Sequence, residues 1–154
     1  YDWTLVGKSE KYIPYNSYKM ASPGTKIATL TTPYHLNPDP LRYELHRVWT
    51  VDGKLKADTR HIYARRTFHI DEDSWMVLLV DGYDSEGTLW RTSQVTPFVL
   101  PQVPMLAMKP ANIFNLQANT MSSTQSLNGG QYTLVPRHPG AHFPGDAVAA
   151  EGVR

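Results

Sequence analysis

From Leu41 onward, apolar and polar residues alternate with a period of two. The apolar members of the first such segment are Leu41, Tyr43, Leu45, Trp49 and Val51, and polar residues occupy most positions between them. A two-residue period places successive side chains on opposite faces of a β-strand, so the pattern predicts a half-buried strand. Asp52-Gly53 is typical of a hairpin turn and predicts that this strand ends there.

Two more strands are predicted downstream. Ile62, Ala64, Phe68 and Ile70 alternate with polar residues up to a turn at residues 71–74, and His61 and His69 fall on the predicted solvent side. The next strand, Trp75 to Tyr83, is apolar on both faces as far as Val80, so each face must be covered. Asp84-Ser85-Glu86-Gly87 then predicts a three-residue hairpin loop, with Gly87 in the left-handed conformation.

The loop closed by Gly87 fixes a predicted register for the strands that flank it. Asp81 faces Arg91 in this register, and Trp90 lies opposite Gly82 and covers it.

The acidic turn at residues 71–74 leaves two registers open for the preceding hairpin. If Ile70 pairs with Trp75, Arg66 lies diagonal to Asp81, and an Arg–Asp–Arg cluster with Arg91 results. A three-residue turn would instead place Arg66 opposite Val80. Buried arginine is costly unless it is paired, so these arginines either form that cluster or reach solvent at the rim of the sheet.

The remaining segments contain many turn signals. The first forty residues predict strand fragments and extended loop, and strands are expected at Ile113–Met121 and Gln131–Val135. We therefore expect one β domain over residues 1–135 and a poorly ordered Gly/Pro/Ala-rich tail over residues 136–154. The chain starts at Tyr1 with a strand already under way, which indicates the C-terminal part of a longer protein.

Composition narrows the possible functions. The 154 residues can bury about 70% of their unfolded surface in one domain. A net charge of +1 provides no field for attracting polyanions, so no nucleic acid partner is expected. The absence of cysteine excludes disulfides and thiolate chemistry, and it leaves the cellular compartment open.

Catalytic and metal-binding patterns are not met. His69, Asp71, Glu72 and Asp73 match neither the ligand pattern of a catalytic zinc nor that of a calcium loop, and acidic residues are also what a tight turn prefers. The sequence contains no nucleophile elbow, phosphate loop or dinucleotide-binding glycine pattern. We therefore expect no enzyme activity, no metal and no cofactor, although a Ser, His and acid could still meet in space.

Several motifs resemble a known family. "YIPYN", "LRYELHRVW", "RHIYARRTFHIDEDSW" and "VDGYDSEGTLWR" are similar to the C-terminal part of a proteobacterial family of unknown function whose members are often named outer-membrane lipoprotein-sorting proteins. The hairpin "IDEDSWMVLLVDGYDSEGTLW" is also similar to hairpins of LolA/LolB-type periplasmic lipoprotein carriers. This resemblance implies a mainly β fold, an antiparallel meander forming part of an open, curved half-barrel, in a periplasmic protein from which a signal peptide has been removed.

The leading hypothesis is a periplasmic carrier or chaperone that binds a lipid or other hydrophobic ligand on a concave sheet, in outer-membrane trafficking or export. The alternatives are an interaction module that docks an inner-membrane transporter, an outer-membrane protein or the rest of its own chain, and an enzyme acting on a lipid. The predicted ligand-binding residues are Tyr43, Leu45, Arg47, Trp49, Arg66, Phe68, Val77, Leu79, Asp81 and Arg91. Arg47 and Arg66 are expected to hold an acidic head group at the edge of the hollow.

Overall fold

The strands of the chain form a single antiparallel β-sheet. The structure, a computed structural model, describes residues 1–124 and 133–152. Its strands are β1 (Asp2–Pro14), β2 (Tyr43–Lys54), β3 (Arg65–Asp71), β4 (Val77–Tyr83), β5 (Leu89–Leu100), β6 (Met105–Asn115) and β7 (Thr120–Thr124). Each strand pairs with the next one in the sequence. Short helices are α1 (Tyr18–Ala21), α2 (Ile27–Leu30), a 3-10 turn (Gly140–His142) and α3 (Gly145–Glu151). The predicted mainly β meander is confirmed.

The sheet is open and strongly curled. In a flat sheet, β1 and β5 would lie about 19 Å apart, because neighbouring strands are separated by about 4.8 Å. Instead, β1 approaches both β4 and β5, and the backbone amide of Ser17, just beyond β1, donates to the carbonyl of Pro97 in β5 at 2.9 Å. Buried Ile13 packs with Leu78 and with partly buried Val95. These contacts lie on the concave side, which we call the inner face.

The strand pairing assigns residues to the two faces. The inner face carries Ile13, Val48, Thr50, Asp52, Thr67, His69, Asp71, Leu79, Asp81, Thr92, Gln94, Asn112 and Phe114. The outer face carries Trp3, Leu5, Leu45, Arg47, Trp49, Val51, Arg66, Phe68, Ile70, Val77, Val80, Gly82, Arg91 and Ile113. The two faces therefore differ in chemistry, since the inner one is largely polar at its centre and the outer one is largely apolar.

The segment between β1 and β2 covers one end of the inner face. Met20, Leu30 and Leu36 are buried there and pack against Phe114 and Met121. This second cluster is separate from the one around Ile13. The predicted strand fragments in the first forty residues are thus replaced by one long strand, β1, followed by a covering segment with two single-turn helices.

Some predicted boundaries were wrong. Asp52 and Gly53 lie inside β2 rather than in a turn, and the ring of Trp3 covers Gly53. The predicted strand Ile113–Met121 is interrupted by a turn at residues 116–119. Of the predicted strand Gln131–Val135, residues 131–132 lie outside the described residues, and residues 133–135 are not in a strand. The 3-10 turn and α3 lie within residues 136–154, and the division into a domain and a tail stays a prediction.

The hairpin loop at Gly87 was predicted correctly. Gly87 has φ +80°, in the left-handed region. The carboxylate of Asp84 accepts hydrogen bonds from the backbone amides of Glu86 and Thr88, at 3.0 and 2.9 Å. These bonds hold the pKa of Asp84 below its usual value, because they favour the ionised carboxylate.

Candidate functional site

The predicted ligand-binding residues divide between the two faces. The outer face holds Leu45, Arg47, Trp49, Arg66, Phe68, Val77 and Arg91, whereas Leu79 and Asp81 lie on the inner face. Tyr43, at the first position of β2, donates from its hydroxyl to Oε1 of Gln94 at 3.2 Å. The shared surface predicted for most of these side chains exists, but it is the convex side of the sheet, not the concave one.

An extra residue in β4 explains the position of Leu79. Ile70 pairs with Val77 and His69 pairs with Leu79, so Leu78 is an additional residue in the strand. A bulge of this kind shifts the alternation by one position. Val77 and Leu79 consequently point to opposite faces, although their spacing in the sequence predicts a shared one.

A second bulge displaces the predicted register of the next hairpin. Tyr83 pairs with Leu89 as predicted, but Gly82 pairs with Arg91, so Trp90 is the additional residue. The predictions that Asp81 faces Arg91 and that Trp90 lies opposite Gly82 were therefore wrong. Asp81 faces Thr92 instead.

The predicted Arg–Asp–Arg cluster does not form. Arg66 pairs with Gly82, rather than lying diagonal to Asp81 or opposite Val80. Asp81 is on the inner face and Arg66 and Arg91 are on the outer face, so the sheet itself separates the carboxylate from both guanidinium groups.

An apolar surface crosses the outer face from β1 to β6. One row across the sheet contains Leu5, Val51, Phe68, Val80 and Ile113, interrupted only by Ser93 of β5. The side chains of this row are half-buried or exposed, with Leu5 62% exposed and Ile113 39% exposed. Contiguous exposed apolar surface is a common feature of sites that contact another molecule or segment. We call this row, with Trp49, Ile70 and Val77 beside it, the apolar face.

A row of arginines and aromatic rings borders the apolar face. Arg66, Gly82 and Arg91 are consecutive across β3, β4 and β5. The ring of Tyr63 occupies the space above Gly82, where a Cβ atom would meet Tyr63 Cδ1 at 2.9 Å. Arg91 Nη1 lies 3.4 Å from the Tyr63 hydroxyl oxygen and donates to it.

Aromatic rings also hold both guanidinium groups. The Arg91 guanidinium lies 4.3 Å from the ring centre of Trp90, and that of Arg66 lies 4.8 Å from the ring centre of Phe68. Tyr63 meets Trp90 edge to face, with 5.6 Å between the ring centres. Such cation–π contacts fix the planar guanidinium groups without neutralising their charge.

The two other arginines of the strands have carboxylate partners. Arg65 Nε donates to Asp52 at 2.9 Å, and Arg47 Nε lies 2.8 Å from Glu72, which also accepts a hydrogen bond from Lys8 at 2.6 Å. Burial raises the pKa of Asp52, but its hydrogen bonds with Thr67 and Arg65 outweigh that effect and leave the pKa below its usual value.

A polar cluster lies on the inner face at the end of β3. Asp71 is fully buried, and its Oδ1 lies 2.8 Å from His46 Nδ1. Its Oδ2 accepts hydrogen bonds from the amide and hydroxyl of Ser74, at 2.9 and 2.5 Å. Burial raises the pKa of Asp71, but the bonds from Ser74 and His46 together lower it below its usual value. His46 was not among the predicted site residues, because its side chain meets Asp71 only through the pairing of β2 with β3.

This cluster has the residue types of a metal site, but the carboxylate oxygens of Asp71 are already engaged in hydrogen bonds. His46, Asp71 and Asp73 bring ligand atoms within 4.8 Å of one another, and His69, which the sequence placed with the acids, is not among them. Both carboxylate oxygens of Asp71 already accept hydrogen bonds from the protein. Ser74 bonds to the carboxylate rather than to the imidazole, so the three residues do not have the order of a nucleophilic triad.

His69 was predicted on a solvated outer face, and this was wrong. It lies on the inner face and is only 8% exposed. Its Nδ1 is 3.2 Å from the Thr50 hydroxyl and its Nε2 is 3.8 Å from Asp81. The nearby His69 imidazole lowers the pKa of Asp81 below its usual value, against the opposing effect of burial. The centre of the inner face is thus a surface of hydrogen-bonded polar side chains rather than an apolar hollow.

Comparison with known proteins places these features in a family. A model of a family of proteins of unknown function (DUF1329) matches residues 1–149. An uncharacterized protein of Pseudomonas aeruginosa is 50% identical over 111 residues, which are 71% of this chain and 24% of that protein. The chain thus spans about a quarter of the length of this relative.

One solved structure shows a distant likeness. It is a domain named for outer membrane lipoprotein sorting, from Vibrio parahaemolyticus, with 13% identity and a TM-score of 0.43 over 67% of this chain and 42% of that one. In the part of the chain that the structure describes, no helix combines the length and apolar character needed to cross a membrane.

Proposed function

Since this chain belongs to the DUF1329 family, we propose that it is the non-catalytic ligand-binding part of a periplasmic carrier or chaperone for a lipid or other hydrophobic molecule. The observation that carries the proposal is the partly exposed apolar face bordered by arginines. The similarity of its motifs to those of periplasmic lipoprotein carriers supports the cellular setting, which is outer-membrane trafficking or export.

The apolar face has the composition that an amphipathic ligand requires. Phe68, Val80 and Ile113 provide apolar contact area, and Arg66 and Arg91 lie one row away. An acyl chain or similar group on Phe68 and its neighbours would remove that surface from water, at about 25 cal/mol for each Å² buried. The polar inner face offers no comparable area, because Thr67, His69 and Asp71 form its centre.

The curvature of the sheet favours a second candidate, an interaction module. A convex face cannot enclose a single acyl chain by itself, whereas a broad, partly apolar surface with aromatic and arginine side chains is typical of protein interfaces. The occupant in this case would be a transporter, an outer-membrane protein or another segment of a longer chain. The same residues serve both candidates, so the experiment must identify what binds.

Lipid binding can be measured directly. The purified chain would be extracted and examined for co-purifying lipid by mass spectrometry, then titrated with the fluorescent fatty acid cis-parinaric acid. We expect saturable binding that falls when Ile113 and Leu5 are replaced by Glu, because charge would then interrupt the apolar face. Both side chains are exposed, at 39% and 62%, so the fold should tolerate the changes.

Ile27→Glu is the matched control. Ile27 is 54% exposed in α2, outside the apolar face, and carries the same chemical change. Equal loss of binding in the control and in the outer-face variant would contradict the proposed location. The absence of both co-purified lipid and fatty-acid binding would leave the interaction module as the function that the apolar face supports.

A further inference from the structure

We infer that Arg66, Arg91 and Tyr63 form a binding site for a phosphate-type anion. This inference deepens the proposed function, on which it rests, by naming the polar group that the ligand would carry. The site differs from the expectation that Arg47 and Arg66 hold a head group, because Arg47 lies 2.8 Å from the carboxylate of Glu72.

The first argument is charge balance among the strands. The strand arginines are Arg47, Arg65, Arg66 and Arg91. Arg47 and Arg65 lie 2.8 and 2.9 Å from Glu72 and Asp52. Within residues 1–124 and 133–152, neither Arg66 nor Arg91 has a carboxylate within ion-pair distance. Two neighbouring cations without a counter-ion repel each other, so a bound anion would stabilise this arrangement.

The second argument is an unused hydrogen-bond donor. Arg66 Nε is buried and has no hydrogen-bond partner in the described structure. A buried donor left unsatisfied costs free energy, and such a group in a folded protein calls for an unseen partner. A phosphate oxygen is a suitable acceptor, because the guanidinium fork matches the geometry of phosphate and forms charge-assisted bonds with it.

The third argument is preorganisation. Arg66 and Arg91 flank β4 on either side, so their Cα atoms are about 10 Å apart, two strand spacings. Stacking on Phe68 and Trp90 fixes both side chains, and the Tyr63 hydroxyl beside Arg91 is placed to donate to the same anion. Side chains held in this way lose little conformational freedom when they bind, which favours affinity.

A ligand at this site would have its apolar part on the adjoining row. Phe68 joins the anion site to the apolar face, because it belongs to that face and the Arg66 guanidinium stacks on its ring at 4.8 Å. The shared chemistry of the candidate ligands is therefore a phosphate group, which either a phospholipid head group or free phosphate can supply. The two sources differ in whether the apolar face takes part in binding.

The test is isothermal titration calorimetry of the 154-residue chain with inorganic phosphate at constant ionic strength. Each charge-assisted hydrogen bond to an anion is strong enough that losing one arginine should weaken binding about tenfold or more. We expect this loss in Arg66→Gln and Arg91→Gln, and only a small change in Arg65→Gln and Arg47→Gln, where the charge is already paired. Equal weakening in all four variants, or no phosphate binding by the unaltered chain, would overturn the inference.

Folding of each variant is checked by circular dichroism and thermal unfolding. If Arg66→Gln or Arg91→Gln unfolds, Arg66→Lys and Arg91→Lys replace them, because lysine keeps the charge but cannot form the two-pronged contact. Weaker phosphate binding in the folded lysine variants supports the site. Unchanged binding in them contradicts it.

Vesicle binding separates the two sources of phosphate. Vesicles of phosphatidylcholine with phosphatidylglycerol are compared with vesicles of phosphatidylcholine alone, using the chain and the Arg66→Gln and Arg91→Gln variants. Vesicle binding that requires phosphatidylglycerol and both arginines supports a lipid head group. Phosphate binding without vesicle or fatty-acid binding supports the anion site but contradicts the lipid-carrier function. Fatty-acid or vesicle binding that is unchanged in both arginine variants supports the proposed lipid-carrier function and overturns the anion site.

Discussion

The ring of Tyr63 lies directly over Gly82, so closely that a Cβ atom on residue 82 would come within 2.9 Å of Tyr63 Cδ1. Tyr63 comes from the loop between β2 and β3, whereas Gly82 is the last residue but one of β4. The ring fills the gap that glycine leaves between the two arginines. The conformation of the loop that carries Tyr63 and the shape of the outer face around Gly82 therefore depend on each other.

This contact predicts strong coupling between the two residues. Gly82→Ala should destabilise the fold by about 1–3 kcal/mol, because the tyrosine ring must move to admit a methyl group. Tyr63→Ala should cost about the same, since the ring is only half-buried. In the double variant the clash is gone, so its cost should be well below the sum of the two. Urea unfolding of all four proteins measures the coupling, and additive costs would show that Tyr63 does not cover Gly82.

The left-handed conformation of Gly87 predicts a penalty for any side chain there. Gly87→Ala should lower the free energy of unfolding by about 1–2 kcal/mol, because φ +80° places a Cβ atom too close to the backbone. Gly140→Ala is the control, since a Cβ there meets no atom within 4 Å and its φ is not in the left-handed region. The prediction fails if chemical denaturation gives equal midpoints for these two variants.

The buried carboxylate of Asp71 predicts a pH dependence of stability. Its pKa in the folded state lies below the usual value near 3.9, so ionised Asp71 stabilises the fold above about pH 4, and this contribution is lost as the pH falls through the folded pKa. Asp71→Asn should therefore lower the free energy of unfolding at pH 7 by about 1–3 kcal/mol, and the difference from the unaltered chain should shrink at acidic pH. Denaturant titrations at pH 7 and pH 3 test both parts. A difference that grows toward acid would reverse the expected sign.

Trp75 combines an uncommon backbone conformation with an exposed ring. It has φ +58° and is 70% exposed in the turn between β3 and β4. Asparagine tolerates this conformation better, so Trp75→Asn should raise the free energy of unfolding by about 0.5–1 kcal/mol. Trp75→Ala, which retains the strain, should not give this gain. A lower unfolding midpoint for Trp75→Asn would mean that packing of the ring outweighs the backbone strain.

Strained, exposed residues of this kind often serve a function. If Trp75 takes part in binding, Trp75→Asn should also weaken the interaction with fatty acid or vesicles while it stabilises the fold. Opposite changes in stability and binding would identify a functional residue. If stability and binding instead change in the same direction, Trp75 contributes only to the fold.

The sequence predicted the strands between Leu41 and Val95 and one loop well, because these depend on local patterns. The two-residue period of Trp49, Val51, Phe68 and Ile70 placed all of these side chains on one face, as observed. The left-handed Gly87 followed from turn chemistry alone.

Residue pairing across β4 could not be predicted, because two extra residues shift it. Leu78 and Trp90 are ordinary strand residues in composition, and nothing in their local sequence marks them as bulges. Each shift of one position moves the following side chains to the other face. The separation of Asp81 from the arginines follows from pairing that only the folded sheet reveals.

The local sequence likewise could not predict which face of the sheet is concave. The curl depends on contacts between distant strands, such as that of Ile13 with Leu78. The apolar residues were therefore assigned to a hollow, although they lie on the convex side. The covering segment around Met20 and Leu30 was missed for the same reason, since its apolar residues have no regular period.

The bulges at both ends of β4 make the length of this strand as important as its composition. Substitutions in β4 change one side chain at a time, whereas deletion of Val80 would shift the residues between it and Leu78 by one position against β3. Such a deletion would move Leu79 from the inner face to the outer one and so change which side chains each face carries. Among proteins that share this architecture, β4 should therefore tolerate replacements much more readily than insertions or deletions.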